Sequence, residues 1–151
     1  MPQPKVTRTR AAFSMGYGVE VNILADPSRV WGLLTDAQGF PRWNSTVSGI
    51  EGRIQEGERL GLRVPGTDRT FTPRVSGVVP QERMTWTGGC APMFKGVRTF
   101  MLKGRTDGAT DFSMNERFFG LMLPLVKRSM PDLGPVFERF ASDLKREAEP
   151  A

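Results

Sequence analysis

Two charged residues interrupt apolar, strand-like runs in this 151-residue chain. Arg98 precedes Phe100 and Leu102, and Glu116 sits between Met114 and Phe118, at alternate positions that share one face of a strand. Thr106-Asp107-Gly108 between the runs suits a three-residue hairpin loop with Gly108 left-handed. Counting outwards in equal steps from Asp107 places Arg98 opposite Glu116. Opposed charges on neighbouring strands form an ion pair, and burying either alone is strongly unfavourable. Three roles are open to this pair. It can be a polar handle inside an apolar cavity, orienting a carboxylate, hydroxyl or carbonyl of a ligand. It can be a partly hydrated structural pair with no ligand role. It can supply Glu116 as a general base, the one weak catalytic candidate.

The remaining inventory removes whole mechanisms. The chain has no histidine, so Ser-His-Asp and Cys-His machinery are excluded. A zinc site from one cysteine and carboxylates is improbable, and no metal is expected. No phosphate-cradling glycine pattern occurs, and no cofactor is implied. Cys90, in Gly-Gly-Cys-Ala-Pro, has no histidine to activate it and reads as an inert loop thiol. Tyr17 reads as packing at a sheet edge. Asp111, Asn115 and Arg117 read as facing solvent.

Composition bounds the setting. The chain is 38% hydrophobic and 25% charged, ordinary for one globular domain. No apolar stretch reaches the ~20 residues of a membrane span, no secretory signal opens the sequence, and a single cysteine suits a reducing compartment. A cytoplasmic protein without integral membrane association is expected. The net charge is +5, but Lys5, Arg8 and Arg10 carry three of those charges. Basic residues elsewhere are not interleaved with aromatics, so nucleic acid is not expected as a partner.

The elements that must position these residues follow from pattern and punctuation. Residues 1–14 are polar and basic and read as a flexible arm; residues 15–148 read as one domain. Tyr17, Val19, Val21 and Ile23 alternate as a half-buried strand. Asp26-Pro27 opens a helix with Val30, Trp31, Leu33 and Leu34 as its buried face. Phe40–Asn44 forms a second helical turn. Strands are then expected near 47–55, 59–64, 70–79, 82–88, 93–103 and 109–118, with Pro73 at an edge or bulge. Leu133, Val136, Phe137, Phe140 and Leu144 form the apolar stripe of a C-terminal helix. Glu138, Arg139, Asp143, Lys145 and Arg146 take its other face. Leu121–Met130 is expected to belong to the same helix, kinked or broken at Pro131 and Pro135.

The inward face of the strands collects Met84, Trp86, Arg98, Phe100, Leu102, Phe112, Met114, Glu116 and Phe118, with Phe71 and Val75 joining them. Phe137 and Met130 approach from the helix, and Trp43 lines a wall. Alternate loops of an antiparallel meander fall at one end. Residues near 43–47, 65–69, 89–92 and 119–123 should therefore share an end with the start of the long helix. A cavity mouth near Met93, Phe94, Leu121 and Met122 is expected there.

The order of these elements, with ADPSRVWGLLTDAQGFPRWN, VVPQERMTWTG, GVRTFML and GATDFSMNERFFGLM, resembles the SRPBCC superfamily (START/Bet v1-like, with polyketide cyclase/dehydrase-like members). The likeness covers roughly Tyr17 to Glu147. It implies an α+β helix-grip fold: a curved, mostly antiparallel seven-stranded sheet wrapped around a long C-terminal helix, with two short helices between strands 1 and 2. It also implies a deep cavity for an apolar ligand between sheet and helix. The family includes lipid and sterol carriers, receptors, cyclases, quinone binders and co-chaperone domains, so function rests on the site. The leading expectation is a carrier or sensor of a small hydrophobic molecule: a lipid, quinone, aromatic or polyketide-like compound. The alternative is a cyclase/dehydrase-like enzyme that works by positioning its substrate in the same cavity. The third is a co-chaperone-like interaction module. A homodimer through a sheet edge stays open.

Overall fold

The computed structural model describes residues 3–150 apart from Ala91 and the side chain of Cys90. The inert-thiol expectation for Cys90 therefore lies outside the described residues. The elements are β1 (Lys5–Arg10), β2 (Ser14–Ile23), α1 (Pro27–Leu34), α2 (Phe40–Trp43), β3 (Gly49–Glu51), β4 (Gly61–Arg63), β5 (Thr70–Phe71), β6 (Arg74–Val79), β7 (Arg83–Cys90), β8 (Phe94–Gly104), β9 (Thr110–Phe119), α3 (Leu123–Val126) and α4 (Gly134–Ala148).

The single seven-stranded sheet expected from sequence is instead two sheets. One has six antiparallel strands in the order β1-β2-β9-β8-β7-β6, and the other three in the order β3-β4-β5. Pro73 lies where they part. Lacking an N–H, it cannot donate to a ladder, and the run read as 70–79 splits there into β5 and β6. Its carbonyl still accepts from the Leu60 N–H at 2.8 Å, and the Val75 N–H reaches the Glu58 carbonyl at 2.8 Å, so the two sheets stay stitched.

The N-terminal residues also differ from expectation. Lys5–Arg10 is not a loose arm. It is the edge strand β1, paired along its length with β2, from Lys5 opposite Glu20 to Arg10 opposite Met15. A polar, basic strand is what an exposed sheet edge tolerates, because charge there discourages pairing with another chain. β2 consequently moves inside the sheet, and Tyr17 is a buried residue rather than an edge one.

The helices follow their local chemistry. Asp26 caps α1 through the Arg29 N–H, Pro27 occupies its first turn, and Val30, Leu33 and Leu34 are buried. Trp31 is only half-buried against the core. Leu121–Met130 is not part of the long helix. It contributes the four-residue α3, followed by a turn and a stretch without regular structure that contains Pro131. Pro135 does not kink α4, because it stands in the first turn, where no backbone donor is needed. Phe137, Phe140, Ala141 and Leu144 pack α4 onto the sheet, and the core lies between them. Asp143 and Lys145, expected on the solvent face, are buried. Asp143 accepts from the Ser45 N–H at 2.8 Å and hydroxyl at 2.7 Å, and Lys145 donates to the Asn22 carbonyl at 2.8 Å. A buried charge with such partners ties α4 to the segments beside it.

Candidate functional site

Register fixes which side chains meet. The β8–β9 ladder pairs Arg98 with Glu116, as the hairpin count requires, and Gly108 has φ +85°. The same row continues across the sheet. Arg8 opposes Tyr17, Tyr17 opposes Glu116, Glu116 opposes Arg98, Arg98 opposes Trp86 and Trp86 opposes Val75. Directly opposed residues share a face, so Arg8, Tyr17, Glu116, Arg98 and Trp86 form one belt beneath the start of α4.

Within the belt, Arg98 Nε and Nη2 reach Glu116 Oε1 at 2.8 and 2.7 Å, with both side chains less than one-fifth exposed (18% and 16%). The Phe137 ring covers them, with the Arg98 guanidinium 5.2 Å from its centroid and the Tyr17 ring 5.8 Å away. At the sheet edge Arg8 forks onto Asp132 through two 2.9 Å bonds, just before α4. A Cβ on Gly134 would collide with this guanidinium, so glycine lets Arg8 lie across the helix start. The bond from Arg8, and then the Gly134 N–H, hold the Asp132 carboxyl below its ordinary pKa.

On one side of the belt the inner face is packed solid. Met84, Phe100 and Met114 are fully buried, with Phe112 and Phe140 almost so. Trp43, Phe40, Trp86, Phe100, Phe112 and Phe140 form a connected aromatic cluster with centroid separations of 4.7–6.3 Å. On the other side the next row is Met15, Phe118, Gly96 and Gly88. Phe118 lies over Gly96, where a Cβ would meet its ring at 3.2 Å, and stacks on Phe94 at 6.0 Å. Among the described residues nothing lies within 4 Å of where a Cβ on Gly88 would stand. The inner surface thus opens next to Trp86 and Arg98.

One buried donor, on Trp86, borders the same region, and two more, on Trp43 and Asn44, lie in the packed half. Among the described residues the indole N–H groups of Trp43 and Trp86 and the Asn44 amide nitrogen have no protein partner, although all three residues are at least nine-tenths buried. An unpaired buried donor costs about 1–3 kcal/mol, so such groups point to an acceptor supplied from elsewhere.

The sequence-predicted residues therefore divide. Trp43, Met84, Trp86, Phe100, Met114 and Phe137 are core residues, the two tryptophans carrying the unpaired donors. Arg98, Glu116, Phe94, Phe118 and Met130 are partly buried around the open end. Met122 is half-buried and Leu121 is 61% exposed at the same end of the sheet. Phe71 stands apart, on β5 of the small sheet and beneath the Arg69 guanidinium. Of the loops expected to share an end, 92–93 and 120–122 do meet, with the Leu121 N–H on the Pro92 carbonyl and the Met122 N–H on the Met93 carbonyl. Residues 43–47 instead pack along the later turns of α4, where Ser45 meets Asp143, and 65–69 joins the strands of the small sheet. Sequence reasoning missed Arg8 and placed Tyr17 at an edge. The alternation of Lys5, Thr7 and Thr9 with Val6, Arg8 and Arg10 carries no hydrophobic signal that would announce a strand. Glu20, Asn22, Lys103 and Asp111 face the other side of the sheet, around an open groove of about 540 Å³. Asn22 and Arg105 engage Asp111 there.

Among the described residues no three or more His, Cys, Asp or Glu cluster as metal ligands. None of the described helices is long and apolar enough to cross a membrane.

A large antiparallel sheet with a C-terminal helix packed on it is an α+β architecture of SRPBCC type. Residues 5–149 match the family model described as polyketide cyclase/dehydrase and lipid transport, and the chain belongs to that family. No curated protein matches it. Among solved structures it is similar to a START superfamily protein from Mycobacterium smegmatis, with TM-score 0.67, 18% identity, and 88% of this chain and 96% of that one covered. A Helicobacter pylori hypothetical protein gives TM-score 0.71 at 14% identity over 87% of this chain and 86% of that one. DynU16, a protein of the dynemicin biosynthetic locus, gives 0.65 at 20% identity over 85% of this chain and 45% of that one. At these identities the likeness establishes the fold.

Proposed function

We propose that the chain binds a small apolar molecule carrying one hydrogen-bonding group, as a carrier or sensor, between the six-stranded sheet and the start of α4. The observation that carries this reading is the belt itself. A largely buried Arg98–Glu116 pair and an unpartnered Trp86 indole sit in one row, beside the open space above Gly88. An apolar wall with a few convergent polar groups is the usual make-up of a small-molecule site. The ligand class this favours is a lipid, quinone, aromatic or polyketide-like compound with a carbonyl, hydroxyl or carboxylate. Arg98 and Trp86 both present N–H donors, which suits an acceptor oxygen.

The test is native mass spectrometry of freshly purified protein, followed by organic extraction. A stoichiometric lipophilic passenger is expected. Trp86→Phe should lower its occupancy; the smaller ring also leaves part of the packed cluster unfilled and lowers the melting temperature, so occupancy is compared at a temperature where both proteins are folded. No passenger, together with no thermal shift across fatty acids, quinones, sterols and aromatic polyketides, would favour an interaction module instead.

A cyclase/dehydrase reading is favoured by one observation, the family match. In this site it would work by holding a flexible substrate in one conformation. Glu116 Oε1 already accepts two Arg98 donors. Turnover that survives Glu116→Gln would support catalysis by positioning. Turnover lost with binding retained would make Glu116 a catalytic group.

A further inference from the structure

We infer that the end of the sheet nearest the start of α4 is a docking surface for an anionic lipid bilayer. The inference does not depend on what the interior binds. Three segments meet there: 11–13 between β1 and β2, Pro92–Met93 before β8, and the segment from Gly120 that leads into α3. They are cross-linked through their backbones. The Gly120 N–H reaches the Phe13 carbonyl at 3.2 Å, Leu121 the Pro92 carbonyl at 3.0 Å, and Met122 the Met93 carbonyl at 2.9 Å. Lys127 Nζ donates to the Ala11 carbonyl at 3.2 Å.

This braced tip carries apolar side chains into solvent. Phe13 is 55% exposed, Met93 48%, Leu121 61% and Leu125 70%. Leu123, between the last two, is fully buried and anchors the segment. Single exposed apolar residues mean little, but several gathered on adjoining loops mark a contact surface.

Charge says what the contact is. Residues 9–15, 92–97 and 117–131 contain Arg10, Lys95, Arg117, Lys127 and Arg128, and no aspartate or glutamate. The carboxylates that directly follow or precede these stretches, Asp132 and Glu116, are already held by Arg8 and Arg98. Exposed leucine, methionine and phenylalanine surrounded by uncompensated cations match the boundary of an anionic bilayer, where apolar side chains enter the acyl edge and cations meet the headgroups. A nucleic acid would use the cations but would leave exposed leucines without a role.

The test is sedimentation of the full chain with vesicles of phosphatidylcholine alone and of phosphatidylcholine mixed with phosphatidylglycerol. Binding to the mixed vesicles only, weakening as salt rises, is expected. Leu121→Asp with Leu125→Asp should lower partitioning about tenfold or more, and Lys127→Glu with Arg128→Glu should do likewise. Leu24, 58% exposed at the opposite end of β2, is the control, and Leu24→Asp should change nothing. Circular dichroism melts check that the variants remain folded. Equal binding to both vesicle types, binding to neither, or binding untouched by the tip substitutions would overturn the inference. A protein that holds a lipophile yet ignores vesicles would overturn docking alone. One that sediments with vesicles yet holds no lipophile would leave docking standing and remove the interior-ligand reading.

Discussion

The two halves of the sheet's inner face are built from similar residues and do opposite things. Towards the later turns of α4, large side chains meet large side chains: Phe140 touches Phe40, Trp43, Phe100 and Phe112. Towards the start of α4, glycines stand where side chains would be, and Gly88 faces open space. The belt of Arg8, Tyr17, Glu116, Arg98 and Trp86 is the boundary. One half is a folding core. The other carries the Arg98–Glu116 pair and has unfilled space at Gly88, while Phe118 covers Gly96.

The comparison can be broken most forcefully at Phe140. Phe140→Ala removes the ring around which the aromatic cluster is arranged and should cost about 3–5 kcal/mol of stability, read from urea unfolding. A loss below ~1 kcal/mol would mean that the packed half is not the core.

Next is the boundary. Arg98→Ala strands Glu116, and because both side chains keep some solvent contact the cost should be about 1–3 kcal/mol, below the ~3–5 of a fully buried pair. Arg98→Met combined with Glu116→Met should recover most of that stability while abolishing recognition of a polar ligand group. If the double variant is no more stable than the single, the pair has no shared burial to relieve.

The open half should respond in the reverse sense. Gly88→Val adds bulk where nothing stands within 4 Å, in a strand that favours a branched residue, so stability should change by less than ~1 kcal/mol. Affinity for an apolar fluorescent probe should nevertheless fall about tenfold, as the space is taken. A large destabilisation with unchanged probe binding would show that the space is not where ligand sits.

The smallest effect is expected at the sheet edge under acid. Asp132 has a lowered pKa in the folded chain, so its bond to Arg8 stabilises the fold above the ordinary aspartate range. That contribution is lost as pH falls through the lowered folded value. Amide exchange in Lys5–Arg10 should therefore accelerate below about pH 4, with the inner strands still protected. Asp132→Asn should remove the pH dependence.

Much of this was legible in the chain. The loop Thr106-Asp107-Gly108 places Arg98 against Glu116, because a tight hairpin leaves one register. Asp26-Pro27 announces α1, and the apolar stripe announces α4, because caps and periodicity are local. The candidate site was legible only in part. Met84, Trp86 and Phe100 share a face by alternation, but alternation does not say which part of that face is filled.

Tertiary structure decided the rest. Lys5–Arg10 became β1 because the free edge of β2 offered unpaired backbone groups, a demand with no trace in the strand's own residues. Tyr17 and Arg8 entered the belt as a consequence. Pro73, without an N–H, marks the break locally, but that β5 pairs with β4 and β6 with β7 rests on partner strands elsewhere in the chain. Asp143 and Lys145 are buried because Ser45 and the Asn22 carbonyl, distant in sequence, stand opposite them. Local pattern determined the elements and one ion pair. The meeting of distant backbone and side-chain groups, each seeking a partner for a buried hydrogen bond, determined the edge strand, the pairing on either side of Pro73 and the burial of Asp143 and Lys145.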